Sequence, residues 1–99
     1  MLHKQDILQF LKSKKEEILN EYDLDKIGLF GSFSTNHYTT ESDIDVIVEF
    51  KPNTENISEK KSQLKQLLSD KFQRDVDICR EKYIKPYFKS NILKSAIYV

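Results

Sequence analysis

The chain is poor in residues that staple or interrupt small proteins. One cysteine, Cys79, stands in 99 residues, so no internal disulfide can form and a reducing cytoplasm is the natural compartment. With two glycines and two prolines, no linker, repeat or low-complexity tract interrupts the pattern. No apolar run approaches the 18 or so residues of a membrane span, which excludes a membrane partner. The opening MLHKQDILQFLKSKKEEIL has neither the continuous apolar core nor the cleavage site of a signal peptide. Net charge is also absent: 16 Lys+Arg meet 16 Asp+Glu, and a direct nucleic-acid binder would be strongly basic.

What is present suffices for one modest core. Hydrophobic residues make up 38%, with six Phe and five Tyr, against disorder. A chain this short reads as one domain, residues 1–99, burying roughly 60–70% of its unfolded surface. It has no room for separate catalytic and acceptor-binding domains, so an enzyme of this size borrows part of its site from a partner or substrate.

Apolar periodicity switches along the chain, predicting an α+β fold of mixed α/β character. From about His3 to Asn20, Ile7, Leu8, Leu11, Ile18 and Leu19 fall at helical spacing, with Lys and Glu opposite. Lys26–Phe30 reads as a strand stopped by Gly31-Ser32, and the polar segment Phe33–Ser42 as a helical turn and loop. Asp43–Phe50 alternates as a strand, with Ile44, Val46, Val48 and Phe50 on one face, and Lys51-Pro52-Asn53-Thr54 breaks it. Asn56 and Glu59 suggest a capping-box variant opening a helix whose stripe is Ile57, Leu64, Leu67, Leu68 and Phe72. Arg74–Cys79 alternates as a third strand, and Pro86 opens a last helix carrying Tyr87, Ile92, Leu93, Ala96 and Ile97.

The segment GSFSTNHYTTESDID, residues 31 to 45, carries the chemistry. Period-2 geometry points Asp43 and Asp45 to one face with Cβ atoms about 6.5–7 Å apart. Carboxylates so placed can converge on two cations about 3.5–4 Å apart. Magnesium suits them, because it keeps waters and completes its shell from substrate phosphates. Gly31 permits close backbone approach, and nearby N–H groups with the Ser32 hydroxyl can hold phosphate oxygens. Gly-Ser at this offset from Asp-x-Asp arises by chance roughly once in a thousand such chains. On the third strand Asp75 and Asp77 share a face opposite Val76 and Ile78. If the strands are neighbours, one of them joins Asp43 and Asp45, and Asp75 is the better fit to a surface residue.

GSFSTNHYTTESDIDVIVEF resembles the signature of the minimal nucleotidyltransferases, small members of the DNA-polymerase-β-like superfamily. DVDICREKYIKPYFKSNILKSAIYV is similar to that family's tail, so the likeness runs from Ile27 to Val99. The resemblance implies a polymerase-β-like α-β-α-β-α-β-α fold with a small mixed sheet flanked by helices. It also implies that Asp43, Asp45 and Asp77 bind two magnesium ions, that Asp77 activates the attacking hydroxyl, and that Gly31 and Ser32 hold ATP. Relatives of this size resemble antitoxins that transfer AMP from ATP to a tyrosine of a HEPN-domain RNase toxin encoded beside them. Two other roles stay open: a binding module that neutralises its partner by occlusion, and nucleotidyl transfer to a small molecule.

One departure from the family pattern is Thr35-Asn36 where relatives carry Arg-Gly; Arg74, Arg80 or Lys82 would have to supply the missing charge. His37 lies near the signature as an ordinary loop histidine, and Cys79 reads as a buried packing residue. The neutral total conceals a division: residues 1–50 sum to −5 and residues 51–99 to +5. Arg80, Lys82, Lys85, Lys89 and Lys94 make the last segment a basic series, equally a solvated face or a contact for phosphate or an acidic partner.

Overall fold

The computed structural model describes residues 2–35 and 37–99. The amphipathic N-terminal stretch forms two helices, α1 (Lys4–Ser13) and α2 (Lys15–Glu21), rather than the single helix its periodicity predicts. The break lies at Lys14, where φ is −108° and ψ 11°. The Ser13 hydroxyl there donates to the Phe10 carbonyl, an acceptor also used by the Lys14 N–H. A serine bonding back to its own helix in this way bends it.

Strand β1 (Leu24–Phe30) starts two residues earlier than the alternation suggests. A register shift between Leu24 and Lys26 leaves Asp25 exposed, which masks the pattern in the sequence. A short helix α3 (Ser32–Thr35) follows, then a loop, then β2 (Ile44–Phe50). Helix α4 spans Ile57–Phe72. The expected capping box is absent: Asn56 takes a left-handed conformation (φ 57°), and its side chain makes no cap bond. Leu64 and Leu68 are buried and Ile57 and Phe72 pack against the core, but Leu67 is exposed.

Strand β3 (Val76–Arg80) leads through a 3₁₀ turn (Glu81–Tyr83) into α5 (Pro86–Ser95), with Pro86 in its first turn as anticipated. The helical spacing read through Ile97 ends earlier, because Ile97–Tyr98 forms a short strand, β4. The sheet order is β3-β2-β1-β4, with β2 and β3 parallel and the other pairs antiparallel. The mixed sheet flanked by helices is therefore present.

Ile27, Leu29, Val46, Val48, Val76 and Ile78 join Ile7, Leu11, Ile18, Leu64 and Leu68 in one buried cluster, so α1, α2 and α4 cover one face. To pass from β3 to β4, on opposite edges, α5 crosses the other face, the one carrying Ile47, Asp45 and Asp77. Ile47 is fully buried yet lies outside the main cluster, as such a cover requires.

Gly28 lets β4 dock. A Cβ there would stand 2.7 Å from the Ile97 carbonyl oxygen and 3.1 Å from Tyr98 Cα, both backbone atoms that cannot swing aside. Gly28→Ala is expected to cost about 1–3 kcal/mol, as overpacking does, and to speed exchange of the Val99 amide, which donates to the Ile27 carbonyl. Chemical denaturation with amide exchange checks it; wild-type values for both would show that β4 tolerates a side chain here.

Candidate functional site

The site forms where β1 ends and β2 begins. Gly31 stops β1 with a φ of 73°, a conformation that only glycine adopts without strain. Its carbonyl accepts from the Ser34 and Thr35 N–H groups at 3.2 and 3.3 Å and from the Ser34 hydroxyl at 2.8 Å. These bonds turn the chain at once into α3, and buried Phe33 anchors it beneath. Ser32 heads this turn half-buried, beside the end of β1.

Asp45 lies between the two neighbouring strands. It pairs with Phe30 of β1 on one side and with Asp77 of β3 on the other. The tertiary register thus brings together the two signature halves and the third carboxylate. Gly31 touches this group so closely that any Cβ would land on Asp45 Oδ2, with Asp45 Cγ at 3.0 Å. Asp43 precedes the strand and is exposed, as are Asp77 and Asp75, whereas Asp45 is half-buried. Asp75 is held by its backbone, whose carbonyl accepts from the Ile44 N–H at 2.9 Å.

Burial first, then the charges of Asp77 and Asp43, push the Asp45 carboxyl above its ordinary range. The three carboxylates therefore repel one another through space, a condition that a bound cation would relieve. Among the described residues no three His, Cys, Asp or Glu side chains enclose a point where they alone could hold a metal. The donor set nevertheless fits magnesium: hard carboxylate oxygens, open to waters and phosphate that would complete the shell.

Cys79 departs from its sequence reading. It is half-buried, on the same strand face as Asp77, and its Sγ lies 3.6 Å from Asp77 Oδ2. Burial, followed by the Asp77 charge, pushes its thiol up to about 11, so it stays protonated and unreactive. His37 is exposed, with Nδ1 3.2 Å from the Thr35 hydroxyl, consistent with a loop residue.

At the family's arginine position, Thr35 donates back to the Gly31 and Ser32 carbonyls at 3.3 Å, and Asn36 lies outside the described residues. Neither candidate arginine turns its charge toward the carboxylates. Arg80 pairs with Glu49 at 3.0 Å beside the rings of Phe50 and Tyr83. Burial tends to raise Glu49, yet the Arg80 hydrogen bond and the Lys82 and Phe50 N–H groups hold it below the usual range. Arg74 Nη1 donates to the Ser42 and Thr39 carbonyls at 2.9 and 3.2 Å, with its guanidinium 5.5 Å from the Phe33 ring centre.

Arg74 thus ties the loop entering Asp43 to the helix after Gly31, a role the sequence did not disclose. Arg74→Ala should lower catalytic turnover about tenfold to a hundredfold, as modest misplacement does, with a smaller change in melting temperature. A kinetic comparison with wild type tests this, and unchanged turnover would remove the assignment.

A model of the nucleotidyltransferase domain matches residues 6–99. The chain belongs to this family. Among relatives of this nucleotidyltransferase, the "putative protein adenylyltransferase" MJ0128 of Methanocaldococcus jannaschii is 35% identical over 95% of both chains. Protein adenylyltransferase MntA of Thermococcus cleftensis is 27% identical, covering 100% of this chain and 98% of that one. A crystallised toxin–antitoxin with AMP-PNP matches at TM-score 0.67 and 25% identity, over 87% of this chain and 69% of that chain. An MNT antitoxin solved with its tri-AMPylated Shewanella oneidensis HEPN toxin shares the fold at TM-score 0.60 and 24% identity, over 91% and 69% of the chains. Among the described residues no helix of the nucleotidyltransferase is long and apolar enough to cross a membrane.

Proposed function

We propose that this nucleotidyltransferase moves AMP from ATP to a protein hydroxyl in a magnesium-dependent reaction, and that it acts in the cytoplasm as an antitoxin adenylylating a HEPN RNase toxin. Residues 1–99 serve as one catalytic domain, and the acceptor comes from the partner. The observation that carries the reading is the junction of Gly31 with Asp45, itself paired with Asp77 across parallel strands. The turn that opens α3 and two carboxylates thus stand next to one another. Relatives named protein adenylyltransferases at 27–35% identity, spanning nearly the whole chain, support the protein acceptor.

In this reading Gly31 and Ser32 hold the triphosphate so that the α-phosphorus faces the entering hydroxyl. Asp77 takes the proton as the acceptor oxygen bonds to that phosphorus and the bond to the β-phosphate oxygen breaks, releasing pyrophosphate. Asp43, Asp45 and Asp77 would hold magnesium, which when bound supplies positive charge for the attacking and leaving oxygens. Alignment and charge neutralisation are the whole task, which a small scaffold can perform.

The test mixes the protein, a HEPN RNase toxin as partner, magnesium and ATP labelled at the α-phosphate. Label should reach a hydroxyl of the HEPN protein and be lost with Asp45→Ala. Occlusion without catalysis, favoured by Thr35 at the family's arginine position, predicts no label and full neutralisation of the RNase by Asp45→Ala. That pair of results would sink the catalytic reading.

A further inference from the structure

From Lys82 to Val99 the chain carries four lysines and no acidic residue. Tyr83, Tyr87 and Phe88 of this segment stand 68%, 69% and 51% exposed. With Leu67 they are the large hydrophobic side chains in solvent among the described residues. Every residue from Lys85 to Asn91 is exposed, and α5 meets the sheet only through its second half, where Ile92 and Leu93 are partly covered. The first half therefore presents an uncovered face.

That face is organised. The Tyr87 and Phe88 rings pack with centroids 4.4 Å apart and an interplanar angle of 48°, making one apolar patch. Lys85 and Lys89, four residues apart, share one side of the helix, and Lys82 Nζ lies 5.8 Å from the Tyr83 ring centre. Pro86 at the start of α5 sets its entry and lowers the cost of ordering on contact. Phe88 lies next to the Lys85–Lys89 side and Tyr87 beyond it, so exposed aromatic anchors and like charges share the uncovered half of the helix, and the charges select an acidic counterpart. The same helix enters the sheet face that bears Asp45 and Asp77 from the far end of β2, where the Lys82 N–H donates to Glu49.

We propose that the outer face of α5, with Tyr83 and Lys82, docks an acidic surface of the protein that receives the nucleotide. The proposal rests on the protein-acceptor reading above. In such a complex the basic helix steers the partner while the acids keep to the cation site. RNA is the weaker occupant, since the whole chain has no net positive charge.

The experiment uses the full chain and, as probe, the same HEPN RNase toxin in unmodified form, by calorimetry without ATP. Lys85→Glu/Lys89→Glu and Tyr87→Ser/Phe88→Ser should each weaken binding about tenfold or more. Wild-type affinity should fall with salt, and the melting shift produced by AMP-PNP with magnesium should be the same in all three proteins. Unchanged affinity in both variants overturns the proposal, as does loss of binding to labelled single-stranded RNA in place of the HEPN protein. Wild-type AMP transfer with undiminished kcat/KM in both variants removes the docking surface and leaves the reaction standing. Binding lost in the variants, with no transfer by wild type, keeps the surface and removes the reaction. Absence of wild-type binding removes the surface outright.

Discussion

Asp45→Asn is expected to abolish nucleotidyl transfer while raising the melting temperature. In the proposed reaction this charge holds the catalytic cation, and its loss would forfeit several kcal/mol of transition-state stabilisation, so turnover should fall about a thousandfold or more. Stability moves the opposite way. The Asp45 carboxyl is raised above its ordinary range by burial, and further by Asp77 and Asp43. Between its unfolded value of about 3.9 and the raised folded value, the native state binds more protons than the unfolded state. Stability contributed by this group is therefore full below that window and is lost as pH rises through it, so at neutral pH ionised Asp45 is a burden. Asparagine removes the charge and keeps the shape. Melting curves from acid to neutral pH should show a flatter dependence and a higher plateau for the variant. Magnesium should stabilise wild type and leave Asp45→Asn unmoved. A variant less stable than wild type at neutral pH would mean that the three carboxylates do not strain the fold.

Gly31→Ala should damage the same site from the neighbouring strand, with the opposite effect on stability. A methyl group there collides with Asp45 Oδ2 and reaches within 3.0 Å of Cγ. The carboxylate can swing away, and the swing itself removes it from its place beside Asp77. Displacement by this much costs about a hundredfold in turnover. The backbone adds its own penalty, because φ of 73° in a residue with a Cβ costs about 1–2 kcal/mol. One substitution thus lowers both activity and melting temperature, whereas Asp45→Asn lowers only activity. Steady-state kinetics and thermal melts of both variants separate the two mechanisms. Wild-type turnover in Gly31→Ala would show that the turn and the carboxylate act independently.

Much of the molecule was legible because local patterns and tertiary structure agree. Ile44, Val46, Val48 and Phe50 alternate because β2 buries that face, and Gly31-Ser32 interrupts β1 because a left-handed turn is needed there. The mistakes arise where a competing contact, local or distant, overrides the pattern. Ser13 bonds back to Phe10 and splits an otherwise continuous helix. Asn56 adopts a left-handed bend in place of a capping bond, and Ile97 leaves the helical rhythm to pair beside Leu29. Cys79 reads as a packing residue because no base or second cysteine accompanies it, but its face is the one bearing Asp77. Arg74 stood out only as a possible charge for the site; its tie was not legible, since its partners are the carbonyls of Thr39 and Ser42, more than thirty positions away.

The sequence by itself determined the chemistry on offer: Gly31 and Ser32 at a strand end, Asp43 and Asp45 two apart at the next, and Asp77 on a third. Those facts are local, set by residue type and by the period of a strand. It also set the total of charges, which is zero. Only the tertiary structure decided that the three pieces meet, because the pairing of Asp45 with Phe30 and Asp77 follows from strand order and register. It likewise decided what the neutral total means. The site takes Asp43 and Asp45 from the acidic first half, and Lys89 and Lys94 of the basic second half ride on α5, whose path across the sheet no local pattern specifies. Sheet order is a property of long-range pairing, and a sequence read residue by residue carries only its ingredients.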